Sequence, residues 1–122
     1  MVHIAHLKAL AIKIGVYVIF GFMILGLIFV APLGQALLAA VLVALINYVM
    51  GDMVILRKGG NVPALIVDAI TAFAFTWVYL NVMGEGDFLV AGFVFAIAVG
   101  IFEWFFHGWV LNNVVPDERS VK

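Results

Sequence analysis

Five ionisable side chains lie within or beside long apolar stretches of this sequence. They are Lys13, Asp52, Asp68, Glu103 and His107. Ionisable groups in such stretches are costly to bury and usually face protein or water rather than lipid. Histidine combined with carboxylates suits a divalent metal ion. The sequence therefore predicts a polar cluster in which Asp52, Asp68, Glu103 and His107 are candidate metal ligands. The sequence does not identify a cofactor; a divalent metal ion is the candidate, and Lys13 is the expected counter-charge.

The spacing of these residues favours one common level. Asp52 precedes Gly60 by eight residues and Asp68 follows it by eight. On two antiparallel helices joined at Gly60, these two positions have equal depth. Glu103 and His107 are four residues apart, so they share one face of a helix. We expect all of these groups near one end of the protein.

Small residues on the last apolar stretch predict close helix packing. Gly92, Ala96 and Gly100 recur at intervals of four and lie on the same helical face as Glu103. Small side chains allow helices to approach closely in lipid. Asn47 lies on a different face from Asp52, where we expect it to serve a second helix contact.

The predicted charges do not balance, which leaves several functions open. Three carboxyl groups face one certain cation, Lys13, so either protons, water or a bound cation must compensate. The first interpretation is a non-enzymatic membrane protein whose cluster is structural or binds a cation. A small ion or solute transporter subunit is the second. An intramembrane hydrolase built on an Asp52/Asp68 pair, by analogy with proton-sharing aspartates, is the third and least favoured.

The amino-acid composition indicates that lipid surrounds most of the chain. Of 122 residues, 67% are hydrophobic and 11% are charged, against about 45–50% and about 25% in soluble domains. A chain of this length cannot hide so much apolar surface in its own interior, so the lipid bilayer is the expected partner. The net charge of −1 gives no basis for nucleic-acid binding, and self-association is left open. The chain contains no cysteine, which excludes disulfides and thiolate metal sites.

Polar breaks divide the chain into four apolar segments. We predict helices over residues 8–30, 34–56, 63–83 and 88–112, forming a single transmembrane domain over residues 1–122. The uncharged run of 20 residues from Ile14 to Leu33 matches a full membrane span rather than a signal peptide. The short breaks predict an all-α, four-helix bundle of up-down-up-down topology.

Orientation follows from the lysines and arginines. All of them fall on one side of the predicted bundle: Lys8, Lys13, Arg57, Lys58, Arg119 and Lys122. Because cytoplasmic segments carry the excess of these residues, we expect both termini and the polar cluster to lie on the cytoplasmic side of the membrane.

Several motifs, taken in order, resemble a known family. They are His6-Leu7-Lys8-Ala9-Leu10, Tyr48-Val49-Met50-Gly51-Asp52, Ala64 followed by Asp68, and Glu103-Trp104-Phe105-Phe106-His107. Together they resemble the YndM-like family, small integral membrane proteins of Gram-positive, mostly spore-forming bacteria. The resemblance spans nearly the whole chain, although Arg57 stands where the family pattern has proline. It implies four helices in a bacterial cell membrane, and it implies no particular activity.

Overall fold

The computed structural model describes residues 2–83 and 86–113. Side chains are described for these residues except at positions 2–5, 52, 53, 57, 111 and 113. Four helices are long and apolar enough to cross a membrane: His6–Ile28, Leu33–Gly51, Asn61–Met83 and Leu89–Val110. The prediction of an all-α chain with four transmembrane helices is confirmed. The outer surface is correspondingly apolar, with side chains such as Phe105 and Phe93 largely exposed.

Each helix has definite bounds. Helix α1 is α-helical over Val2–Phe20 and continues as a π-helix over Gly21–Ile28. Helix α2 is α-helical over Leu33–Ile46, π-helical over Asn47–Ile55 and α-helical again over Leu56–Gly59. Helices α3 (Asn61–Met83) and α4 (Leu89–Asn113) are α-helical throughout. Helix α1 begins six residues earlier than the sequence indicates, because residues 2–7 extend it beyond the apolar stretch.

The two connections that are fully described are short, and they differ in chemistry. The α1–α2 connection spans residues 29–32, and Val30 adopts a left-handed backbone with φ of 56°. Helix α2 begins at Leu33, one residue before the predicted start. The α2–α3 connection is Gly60 alone, with φ of 86°, a conformation that glycine adopts without steric cost. Such short links require antiparallel neighbours.

The antiparallel order gives the bundle two distinct ends. The start of α1, Gly60 and the end of α4 lie together at what we call the Gly60 end. The α1–α2 connection, the end of α3 and Gly86 lie together at what we call the Gly86 end. Which end faces the cytoplasm stays a prediction from the distribution of lysine and arginine.

The interior consists of a polar layer between two apolar layers. Toward the Gly86 end the apolar core includes Tyr17, Leu25, Ala40, Val43, Ala72, Phe95 and Val99. Toward the Gly60 end a second buried group comprises Ala9, Tyr48, Leu56, Ala64, Phe106 and Val110. On α1 the polar residue Lys13 falls between these groups, and on α3 Asp68 does so. The spacing of four residues along each helix therefore puts the polar groups at one level.

The packing of α4 differs in part from the prediction. A Cβ atom on Gly92 would lie 3.2 Å from the carbonyl oxygen of Phe73 and 3.4 Å from the Cβ of Trp77, so α3 and α4 are in close contact there. Ala96 is also buried. Gly100, predicted to belong to the same close contact, has no atom within 4 Å of such a position. It borders an open apolar groove between α3 and α4, so the expected tight packing does not extend to Gly100.

These two glycines should respond differently to the same substitution. Gly92→Leu should destabilise the protein by about 1–3 kcal/mol, because the added side chain meets the α3 backbone and Trp77. Gly100→Leu is the matched control and should change stability by less than about 0.5 kcal/mol, since its side chain enters the groove. Thermal unfolding in detergent or nanodiscs measures both. Equal losses would show that the groove at Gly100 closes in the membrane.

The topology can be tested with single cysteines, because the natural chain has none. Cysteines introduced at Gly34 and Gly86 should react with an impermeant thiol reagent added outside intact cells. A cysteine at Gly60 should react only after the membrane is made permeable. External labelling of the Gly60 variant would reverse the predicted orientation.

Candidate functional site

His107 is the centre of the polar layer. Its Nε2 atom lies 2.8 Å from Asp68 Oδ2 on α3 and 2.8 Å from Glu103 Oε2 one turn earlier on α4. Its Nδ1 atom lies 2.8 Å from Oδ1 of Asn61, the first residue of α3. Both ring nitrogens of His107 therefore face oxygen atoms that can accept a hydrogen bond.

Glu103 connects His107 to a lysine on α1. Its second carboxylate oxygen, Oε1, lies 3.0 Å from Lys13 Nζ and accepts a hydrogen bond of 2.5 Å from the Tyr17 hydroxyl. Lys13 Nζ also lies 3.9 Å from Asp68 Oδ2. The ammonium group of Lys13 is thus closest to Glu103 and has Asp68 as a more distant second partner.

Helix α2 joins the layer through an amide. Asn47 donates hydrogen bonds from Nδ2 to the Tyr17 hydroxyl at 2.9 Å and to the Asp68 carbonyl oxygen at 3.2 Å. Asn47 therefore does connect α2 to other helices, but through the polar layer and not through a separate packing contact. Tyr17 and Asn61 were not among the predicted site residues. Tyr17 was detectable from its spacing of four residues after Lys13.

The local structure of α2 makes room for Asp68. Asn47 begins the π-helical segment Asn47–Ile55, and Gly51 lies within it. A Cβ atom on Gly51 would lie 2.9 Å from Asp68 Cγ, so any larger residue would displace the carboxylate. π-Helical turns are rare and often lie at functional sites. The side chain of Asp52, a predicted member of the cluster, lies outside the described residues.

The four described ionisable residues, Lys13, Asp68, Glu103 and His107, are all 0% exposed. Asp68 and Glu103 each carry a negative charge when ionised, and Lys13 carries one positive charge. With His107 neutral these four groups have a net charge of −1, and with His107 protonated their net charge is zero. Because an uncompensated buried charge is strongly destabilising, the charge on His107 decides whether the layer is balanced.

The geometry brings together three of the four predicted metal ligands. One ligand atom from each of Asp68, Glu103 and His107 lies within 4.8 Å of the others. Carboxylate oxygens and an imidazole nitrogen are donors that several divalent metal ions accept. Asp52 cannot be added to this group, because its side chain is not described.

Access to the layer differs between the two ends of the bundle. At the Gly60 end, Asn61 contacts His107 and is itself partly exposed. Toward the Gly86 end the fully buried residues beyond the layer are apolar except for Thr76, whose hydroxyl has no hydrogen-bond partner among the described residues. Part-buried polar groups lie farther along, where the Tyr79 hydroxyl donates a hydrogen bond to Gln35 Oε1 at 2.7 Å. Among the described residues, the partly exposed polar group that contacts His107 directly is Asn61, at the Gly60 end.

Comparison with known proteins gives two matches. The model of a family described as a protein of unknown function (DUF2512) matches residues 4–122. The uncharacterised membrane protein YndM of Bacillus subtilis (strain 168) is 29% identical over 114 residues, which cover 92% of this chain. The chain spans 64% of the length of that relative. No solved structure matches the chain.

The ion pair between Lys13 and Glu103 should show strong coupling in a double-mutant cycle. Lys13→Met alone should cost about 3–5 kcal/mol, because it leaves a buried carboxylate without its closest cation. Adding Glu103→Gln should recover part of that loss, since the second change removes the uncompensated charge. Unfolding free energies of the wild type, both single variants and the double variant measure the coupling. Strictly additive losses would mean that the two residues do not interact.

Proposed function

The chain belongs to the DUF2512 family of unknown function, as its resemblance to YndM-like proteins predicted, and we propose that it is a non-enzymatic, cation-binding membrane protein. Its polar layer holds one cation in addition to the built-in charge of Lys13. The observation that carries this proposal is the position of His107 Nε2, 2.8 Å from a carboxylate oxygen of Asp68 and 2.8 Å from one of Glu103.

Charge balance sets the number of cations. The described layer contains two carboxylates and one lysine, all fully buried. One more positive charge neutralises these groups. A positive charge between His107, Asp68 and Glu103 attracts both carboxylates at short distance. A divalent ion at the same place would leave an excess positive charge beside Lys13. The charge count of these described groups therefore favours a singly charged occupant.

A proton on His107 is the simplest such occupant. Histidine is the side chain whose charge ordinarily changes between about pH 5 and 8. A protonated ring can donate from Nε2 to Asp68 Oδ2, with Glu103 Oε2 as a nearby charge at 2.8 Å, and from Nδ1 to the Asn61 amide oxygen, which lies 2.8 Å away. The charged groups facing the ring are Asp68 on α3, Glu103 on α4 and Lys13 on α1. On α2, the π-helical segment that packs against Asp68 includes Asp52, whose side chain is not described.

The two alternative functions fit the described geometry less well. A transporter needs polar access from both ends, and among the fully buried described residues Thr76 is the one polar group between the layer and the part-buried Tyr79–Gln35 hydrogen bond toward the Gly86 end. A hydrolase built on Asp52 and Asp68 needs an Asp68 carboxylate that is available to share a proton with Asp52. Asp68 Oδ2 faces His107 and Lys13, whereas Oδ1 lies beside Gly51 of α2; the described contacts of Asp68 are thus those of an ion pair. We therefore propose that the polar layer binds a cation without catalysing a reaction, and that it does so on the cytoplasmic side of the membrane.

The test is the pH dependence of thermal stability. Purified wild-type protein in nanodiscs should melt at progressively lower temperature as pH is raised from about 5.5 to about 8.5. The reason is that loss of the proton from His107 leaves a net negative charge in the buried layer. His107→Gln, which has no titrating group, should melt at a lower temperature at pH 5.5 and should lose most of the pH dependence.

The matched control is His6→Gln. His6 lies outside the layer, where its Nδ1 contacts the Tyr48 hydroxyl at 2.6 Å. This variant should keep the pH dependence of the wild type. If His107→Gln retains the same pH dependence as the wild type, the cation is not a proton on His107. If wild-type stability instead falls on treatment with a chelator, the bound cation is a metal ion.

A further inference from the structure

We infer that Lys13 is the specificity-determining residue of the layer and that its charge excludes divalent metal ions from a site whose ligand geometry would otherwise accept them. This inference rests on the proposed cation site. It concerns which cations that site rejects, and it adds a role for Lys13 beyond that of a counter-charge.

The ligand atoms are arranged as a metal site requires. His107 Nε2 is 2.8 Å from Asp68 Oδ2 and from Glu103 Oε2. Ligands bound to one ion at about 2.1 Å in octahedral geometry lie about 3 Å apart. Only small movements of side chains would therefore be needed to place an ion between these three atoms. Geometry alone does not exclude a divalent ion.

Lys13 is too close to that position for a divalent charge. Its Nζ atom lies 3.9 Å from Asp68 Oδ2, so an ion bound to that oxygen at about 2.1 Å lies within about 6 Å of the ammonium group. The interaction is poorly screened because Lys13, Asp68 and Glu103 are all fully buried. At the same distance, a divalent ion meets twice the repulsion from Lys13 that a singly charged ion meets.

Neighbouring aromatic rings and Glu103 also fix the position of the Lys13 ammonium group. Its Nζ atom lies 5.4 Å from the centre of the Phe106 ring and 5.6 Å from the centre of the Tyr17 ring, both within the range of cation–π attraction. Its contact with Glu103 uses Oε1, whereas Oε2 faces His107. Lys13 therefore does not occupy the ligand position itself. It acts on that position through its charge.

The experiment measures binding of Mn²⁺ and Zn²⁺ to the whole protein in nanodiscs. Free Mn²⁺ is counted by its paramagnetic resonance signal, and the melting temperature is recorded with each metal. Wild type should show neither binding nor stabilisation. Lys13→Met should bind one ion, with affinity raised about 100-fold or more, and its melting temperature should rise with metal. Lys13→Arg keeps the charge and should behave as the wild type does.

A second substitution shows where the ion binds. The double variant Lys13→Met with His107→Ala should lose the gained binding, because one of three ligands is removed. If Lys13→Met does not yield folded protein, Lys13→Gln provides a neutral side chain that can still donate a hydrogen bond to Glu103.

Two results would overturn the inference. If the wild type binds divalent ions as tightly as the neutral variants do, Lys13 excludes nothing. If neither neutral variant binds them, the three ligand atoms do not form a latent site. Both results are independent of the pH dependence of wild-type melting, so failure here is distinguishable from failure of the proposed proton site.

Discussion

The buried ion pair of Lys13 and Glu103 is the interaction on which the arrangement of the bundle depends. Neither group can be left alone in a low-dielectric interior, so α1 and α4 are required to meet at this level. With an Nζ to Oε1 distance of 3.0 Å, the pair uses one oxygen of Glu103 and leaves the other toward His107. The remaining polar contacts on α2 and α3 then follow from the need to satisfy Asp68 and the Tyr17 hydroxyl.

This requirement explains why the layer specifies helix register better than the apolar core does. Lipid-facing and core-facing surfaces are both apolar here, so burial alone discriminates weakly between one vertical position of a helix and the next. Sliding one helix by a turn, about 5.4 Å, would bring its polar residue into an apolar layer and leave partners on three other helices unpaired. On α3, Asp68 lies one turn from the buried residues Ala64 and Ala72 on either side, so the sequence itself marks the level of the polar layer on this helix.

Much of this was predictable because helical periodicity is regular. The number and approximate position of the helices followed from apolar length, and the common level of Lys13, Asp68, Glu103 and His107 followed from spacing. The roles of Asn47 and Asn61 did not follow, because an amide hydrogen bond depends on the rotation of each helix and on the π-helical segment of α2. Gly100 was misplaced because a regular stripe of small residues does not reveal where two helices diverge.

A charge bound in the polar layer would affect the contacts between helices. A charge that enters near Asn61 meets His107 and then two carboxylates, and the fully buried described residues beyond them toward the Gly86 end are apolar apart from Thr76. If the site binds a charge without transporting it, as we propose, the effect of that charge on the protein lies in the helices that it links. His107 on α4 contacts Asn61 and Asp68, both on α3, and its charge therefore acts directly on the packing of these two helices. Occupancy of the site would then be transmitted through the α3–α4 contact, which is tight at Gly92 and open at Gly100.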